Sequence, residues 1–222
     1  MNVEKTAVSA DDMTLINKFS RAELSENDVY SFKMVCCDTN IDRDGEAFTK
    51  NALQKLAELF IGKTVITDHK PSAENQIARI YKTLVEENDG VSRLIAWAYI
   101  PKNSGCDDFI TLIDTGIVKE VSVGCSVKQC TCSICGKELN FCQHRKFKDY
   151  DGKTCYGILD DITDAYEVSF VAVPAQKEAG VTKQCAMYNV QCADSTAVLE
   201  LKIKMAENFL FCLNNFYDKG DF

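Results

Sequence analysis

Proline is nearly missing from this chain, with 3 in 222 residues, and the 11 glycines are few as well, which excludes collagen-like repetition and proline-rich linkers. Basic residues are in deficit. The 25 Lys+Arg against 33 Asp+Glu give a net charge of −8, a poor basis for gripping duplex nucleic acid, where phosphate neutralisation dominates affinity. No apolar run approaches the roughly 20 residues that span a bilayer, and the first residues, MNVEKTAVSADDMTL, lack the apolar centre of a signal peptide. The expectation is a soluble, intracellular protein with neither nucleic acid nor membrane as partner. Histidine is scarce too: His69 and His144 are the only two. What the chain does have is 46% hydrophobic residues, enough for a sizeable core, and 12 cysteines. In a reducing compartment so many thiols point to metal ligands, core fillers or reactive groups rather than disulfides.

Residues 1–28 are mostly polar and read as a loosely held arm, whose short apolar patch at Met13, Leu15, Ile16 and Phe19 could dock as one helical turn. From Val29, VYSFKMVCC reads as a strand. A turn-rich DTNIDRDG loop follows, then a helical period in Ala52, Leu53, Leu56, Ala57, Leu59 and Phe60 that Gly62 is placed to end. TVIT (64–67) reads as a short strand leading into His69. Two apolar runs around Asp89-Gly90 read as a hairpin. A helix is predicted to start at Ser104, with Asp107 completing a capping box, and to end at Gly116. VKEVSVGCSV (118–127) and YEVSFVAVP (166–174) read as strands, the second closed by Pro174, and the spacing from Ser195 to Phe216 predicts a long amphipathic helix. The sum is an α+β fold with a mostly antiparallel sheet. Its parts are the arm, a main domain over 29–194 and a C-terminal helix over 195–222.

Six cysteines fall within about thirty residues, and in CSICGKELNFCQH the spacing suits metal. Cys132 and Cys135 form a C-x2-C pair that a tight turn can close on one ion, with Gly136 relieving the backbone. Cys142 and His144 supply a second pair seven residues on. Three cysteines and a histidine make a closed structural Zn2+ site, a small stapled insertion at about 128–157. Cys130 and Cys155 stand nearby as substitute ligands.

With one histidine assigned to metal, His69 is left as the group whose intrinsic pKa suits general-base work at neutral pH. Ser122 shares a strand face with Gly124 and Ser126, where only small side chains stand and a nucleophile has a clear approach. Cys125 points to the other face.

Four stretches, DRDGEAFTKNAL (42–53), TDHKPSAENQIARI (67–80), GIVKEVSVGCSV (116–127) and AYEVSFVAVPAQKEAGV (165–181), occur in an order that resembles the prohead (capsid maturation) proteases of tailed bacteriophages, related in fold to herpesvirus assemblin. The resemblance covers about two thirds of the chain. It implies a β-barrel-like core with surrounding helices. It also implies a serine endopeptidase with His69 as base and Ser122 as nucleophile, Ser126 and Ser169 being the backups. Glu167 is the choice for the orienting third member, and His144 competes for that role if it does not bind metal. The implied substrates are phage scaffold and major capsid proteins, cleaved inside the assembling prohead in the bacterial host cytoplasm, and the implied assembly is a homodimer. Two other readings stay open: a catalytically silent assembly protein of the same fold, and an unrelated zinc-dependent interaction module.

Overall fold

The computed structural model describes residues 8–182. The expected helix over 195–222 lies outside them. Ten strands and three α-helices make an α+β fold. The strands are β1 (Val29–Asp38), β2 (Glu46–Phe48), β3 (Thr64–Thr67), β4 (Ala78–Asn88), β5 (Val91–Pro101), β6 (Val121–Cys132), β7 (Asp149–Tyr150), β8 (Lys153–Thr154), β9 (Gly157–Phe170) and β10 (Gly180–Val181). The helices are α1 (Ala10–Asn17), α2 (Lys50–Phe60) and α3 (Asp107–Asp114).

Eight strands form one sheet in the order β10-β1-β5-β4-β3-β9-β2, with β6 on β9's other edge. Pairing is mostly antiparallel. The exceptions are β2 and β3, which run parallel to β9 at its two ends. β10, at one end of the sheet, meets the residue before β6 at an isolated bridge, Glu120 to Gly180, beside Val181 N donating to Lys119 O at 2.7 Å. The sheet thus curls toward itself without a second ladder to seal it.

The core lies against one face, where α2 buries Leu53, Leu56 and Phe60 with Val65, Ile80, Leu94, Val168 and Phe170. Thr49 caps α2 by accepting from Ala52 N at 3.0 Å, and its hydroxyl donates to Asp160 on β9, so the cap also sets the helix on the sheet. Gly62 takes φ +81° just past the helix, a left-handed conformation that costs glycine nothing. Asp89 and Gly90 both have positive φ, and the hairpin they close pairs Asn88 with Val91, as the sequence predicts.

Over the described residues of the arm the apolar patch docks as a helix: α1 is capped by Ser9 and buries Ile16 against Val29, Tyr81 and Tyr99. Two expectations are corrected. Ser104 does not cap α3. The helix starts three residues later, after a turn in which Cys106 N donates to Asn103 O, and no side chain caps it. The strand expected over 166–174 instead covers Gly157–Phe170, and β6 runs on to Cys132, so the two form one long ribbon paired from Val121↔Phe170 to Cys132↔Gly157. The polar ILDDITD stretch hid that ribbon, because it lacks the apolar run that marks a buried strand.

Candidate functional site

β9 carries the site because it is bonded on both edges. Beside its C-terminal half run β3, with Thr64 opposite Glu167, and β6, with Gly124 opposite Glu167 and Ser122 opposite Ser169. Cross-strand partners share a face, so Ser122, Gly124, Glu167 and Ser169 stand together. Val121, Val123, Cys125 and Val127 pack on the core instead. Burial pushes the Cys125 thiol up to about 11, with the charges of Glu167 and Glu46 adding to the effect, so it stays neutral and inert.

His69 arrives from the end of β3. Asp68 and His69 both take φ 52°, an uncommon pair of left-handed residues closed by Lys70 N donating to Thr67 O at 3.1 Å. Two bonds tie the turn to β9: Asp68 N donates to Phe170 O at 2.9 Å, and His69 N donates to Ser169 Oγ at 2.8 Å. Asn75 braces it from outside, its Nδ2 donating to the carbonyls of Thr67 and Lys70 at 2.8 Å. Held this way, the ring sets Nδ1 2.8 Å from Glu167 Oε1. The imidazole is 44% exposed and the carboxylate 10%.

Glu167 is the electrostatically unusual member. Burial raises its pKa above the ordinary 4.5, and the hydrogen bond and charge of His69 oppose the rise. Its Oε2 is buried without a hydrogen-bond partner. The carboxylate folds over Gly124, leaving no room there for a Cβ. Sequence reasoning read Gly124 as part of a clear approach; the structure shows that its missing side chain is the seat of Glu167. It also read Ser169 as a backup nucleophile with a strand-packing hydroxyl as the preferred reading, and the structure agrees with the second: Ser169 is fully buried and accepts from the His69 amide. The signal was there in E-V-S, which puts 167 and 169 on one face. Ser126, the other backup, is bonded to the Tyr166 hydroxyl. Ser122 is half-buried, and its Oγ has no hydrogen bond among the described residues.

The second cluster sits at the far end of the ribbon. Cys132 is the last residue of β6, and its N–H donates to Lys137 O at 2.8 Å while Gly136 N, at φ +69°, donates back to Cys132 O at 2.9 Å. The turn aims the Ile134 amide at Cys132 Sγ, 3.4 Å away. Cys132, Cys135, Cys142 and His144 bring their ligand atoms within 4.8 Å of one another. His144 Nδ1 is buried and otherwise unpartnered, and the ring stands edge-on to Tyr150. A Cys3His set with an orphaned buried nitrogen fits a metal ion, and zinc suits the donors. His144 is therefore placed away from His69, which has Glu167 instead.

Of the two substitute ligands, Cys130 is excluded, its sulfur lying toward Glu46 at 4.0 Å, but Cys155 is fully buried with its sulfur 3.7 Å from that of Cys132. Burial raises Cys155 to about 11, with Cys132 adding to the rise, so its S–H donates. At Cys132 burial works against ionisation, but the amides of Ile134 and Cys135 and the thiols of Cys155 and Cys142 outweigh it and bring the group down to about 6. That is the thiolate a metal takes, with Cys155 as its supporting donor.

The fold and these two clusters define an α+β protein with a histidine–carboxylate pair on one sheet face and, on the same ribbon, a cysteine-rich turn that could hold a metal ion. No protein-family model, curated protein or solved structure matches the chain. Among the described residues no helix is long and apolar enough to cross a membrane.

Proposed function

We propose that the chain is a serine endopeptidase with Ser122 as nucleophile, His69 as general base and Glu167 as orienting acid. The carrying observation is the 2.8 Å contact of His69 Nδ1 with the buried Glu167 Oε1, two cross-strand pairs of one register from Ser122. With Nδ1–H donating to the carboxylate, Nε2 keeps its lone pair and takes the proton of Ser122 Oγ as that oxygen attacks the scissile carbonyl. The imidazolium formed lies against the ionised Glu167, which is stabilised in turn. The Ser122–His69 bond forms on substrate binding, since such bonds tighten in the bound complex. The sequence resemblance supports the finer reading: a barrel-like core, phage scaffold and capsid proteins as substrates in the prohead, and a homodimer. In that reading zinc is structural, returning the ribbon from Cys132 to Gly157 beside its starting point.

A fluorophosphonate probe tests the chemistry without a known substrate. Ser122 Oγ bonds to phosphorus as fluoride leaves, and mass spectrometry finds the adduct on the peptide holding Ser122. Absence of labelling in the metal-loaded full chain, or labelling that survives Ser122→Ala, overturns the assignment. The unbonded Ser122 Oγ favours a second reading, a silent assembly protein of this fold, and the same probe separates the two.

A further inference from the structure

The sheet leaves one strand edge open next to Ser122. β6 is bonded to β9 along one edge, but among the described residues its other edge is pinned only at the ends, by the bridges Glu120–Gly180 and Thr131–Glu138. Between that open stretch and the loop joining β1 to β2 lies a cavity of about 270 Å³. Its walls are apolar, formed by Cys36, Phe48, Val127 and Leu159. Ser122 borders it as well, although strand alternation turns Ser122 and Val127 to opposite faces. The cavity therefore reaches one residue, Ser122, of the face that carries Glu167.

Its polar lining is acidic. Asp42, Asp44 and Glu46 border it. Lys146 neutralises Glu46 at 2.5 Å. Asp42 is buried, with Oδ1 accepting from the amides of Asp44 and Glu46 at 2.9 Å, and burial raises its pKa. Asp44 is exposed and makes no ion pair among the described residues, and the guanidinium of Arg43 is engaged by Pro174 O at 2.6 Å. Gln176 completes the lining. It is only 5% exposed, and its Nε2 is buried with no hydrogen-bond partner. A buried donor left unmade is costly, so this amide points to a ligand with an acceptor.

An occupant must then bring a carbonyl to Gln176, a cation to the carboxylates and an aliphatic stem to the walls. A lysine or arginine residue of an extended peptide has all three, its methylenes on the apolar walls and its charge at the acidic end. The volume, below the roughly 300–1,000 Å³ of small-molecule pockets, suits one side chain. An open strand edge supplies the rest, because an added strand gains main-chain bonds and sends alternate side chains inward.

We propose that a substrate segment adds as a strand to the open edge of β6 and delivers a lysine or arginine side chain into this cavity. The assignment rests on Ser122 as nucleophile only for where the scissile bond falls. It is tested on the full-length Ser122→Ala variant by fluorescence anisotropy, using labelled peptides identical except for one central residue: lysine, norleucine or glutamate. The lysine peptide binds at least about tenfold tighter than the norleucine peptide, a difference that Asp44→Asn and Gln176→Ala each shrink. The glutamate peptide binds weakest. Equal affinity for lysine and norleucine overturns the proposal, as does selectivity untouched by both variants. Because binding is read without cleavage, the two readings fail separately. Wild-type protein that cleaves both peptides equally well sinks the cavity's role and keeps the protease, whereas lysine-selective binding by a chain that no fluorophosphonate labels does the reverse.

Discussion

The two ends of the β6–β9 ribbon solve the same problem, holding side chains in place, by opposite means. At the base, Ser122, Glu167 and Ser169 are positioned by register, by β3 on the far edge of β9 and by a core that buries Val121, Val168 and Phe170 directly behind them. At the tip, Cys132 and Cys155 are the buried side chains of an excursion whose Phe141 and Phe147 are exposed, and the two-stranded β7–β8 piece pairs only with itself. So small a unit has little core to stand on, and metal–ligand bonds are the means that its Cys3His set offers. The base is held by packing; the tip, in the proposed reading, is held by a ligand.

Ser122→Ala is the sharpest probe of the base. Activity falls by about 10⁶-fold, the scale for removing a triad nucleophile, with the melting temperature unchanged because the half-buried hydroxyl bonds nothing. Cleavage that persists in the variant, measured with the Lys-containing peptides, removes the base from catalysis altogether. Glu167→Gln follows at about 10⁴-fold in kcat, as when an orienting carboxylate becomes an amide.

Its effect on stability runs the other way. A carboxyl whose folded pKa lies above its unfolded value binds its proton more tightly when folded, so stability is highest below the unfolded value, here near 4.5, and declines as pH rises through the folded one. Glu167→Gln cannot ionise and escapes that decline. The variant melts no lower than wild type at pH 7, and its advantage narrows as the pH drops toward 4. A variant that melts well below wild type at pH 7 shows that the carboxylate serves folding rather than chemistry.

Metal removal makes the tip fail where the base does not. A chelator, or Cys132→Ser, abolishes zinc binding and strips hydrogen-exchange protection from about 132–157, while β1, β4 and β5 stay protected. Loss of protection across the whole sheet instead means that the ribbon folds as one unit. Cys155→Ser, which removes only the thiol beside Cys132, weakens zinc affinity about 10–100-fold and leaves the metal in place at saturation.

Legibility in the sequence follows the same division. Ligand spacing is a local property, so Cys132, Cys135, Cys142 and His144 were readable as a set, and His69 and Ser122 stood out by a strand end and by alternation, whereas their roles and the choice of Glu167 came from the resemblance. What stayed hidden depends on register between distant strands. Nothing in V-S-V-G tells that Gly124 lies opposite Glu167, and the cysteine spacing, which offered both Cys130 and Cys155 to the cluster, does not tell that it is Cys155 that returns to Cys132 from twenty-three residues away. At α1 the apolar patch was legible, Ile16 being one of its members, but not which residues it would pack on: Val29, Tyr81 and Tyr99.

Ser169→Ala gives the smallest change and says most about how the base works. The hydroxyl accepts from the His69 amide within a turn whose Asp68 and His69 both hold left-handed φ, a conformation that costs energy and persists only where bonds impose it. Asp68 N on Phe170 O and the Asn75 brace remain in the variant, so the turn loosens without dissolving. The imidazole then samples positions off Glu167, lowering kcat by roughly tenfold while KM stays the same, because Ser169 touches no substrate. Ser169→Thr keeps an acceptor at the same place and restores part of the rate. If Ser169→Ala lowers the melting temperature and the rate together, and Thr rescues neither, the residue is packing alone, and the left-handed turn is held by its own backbone bonds.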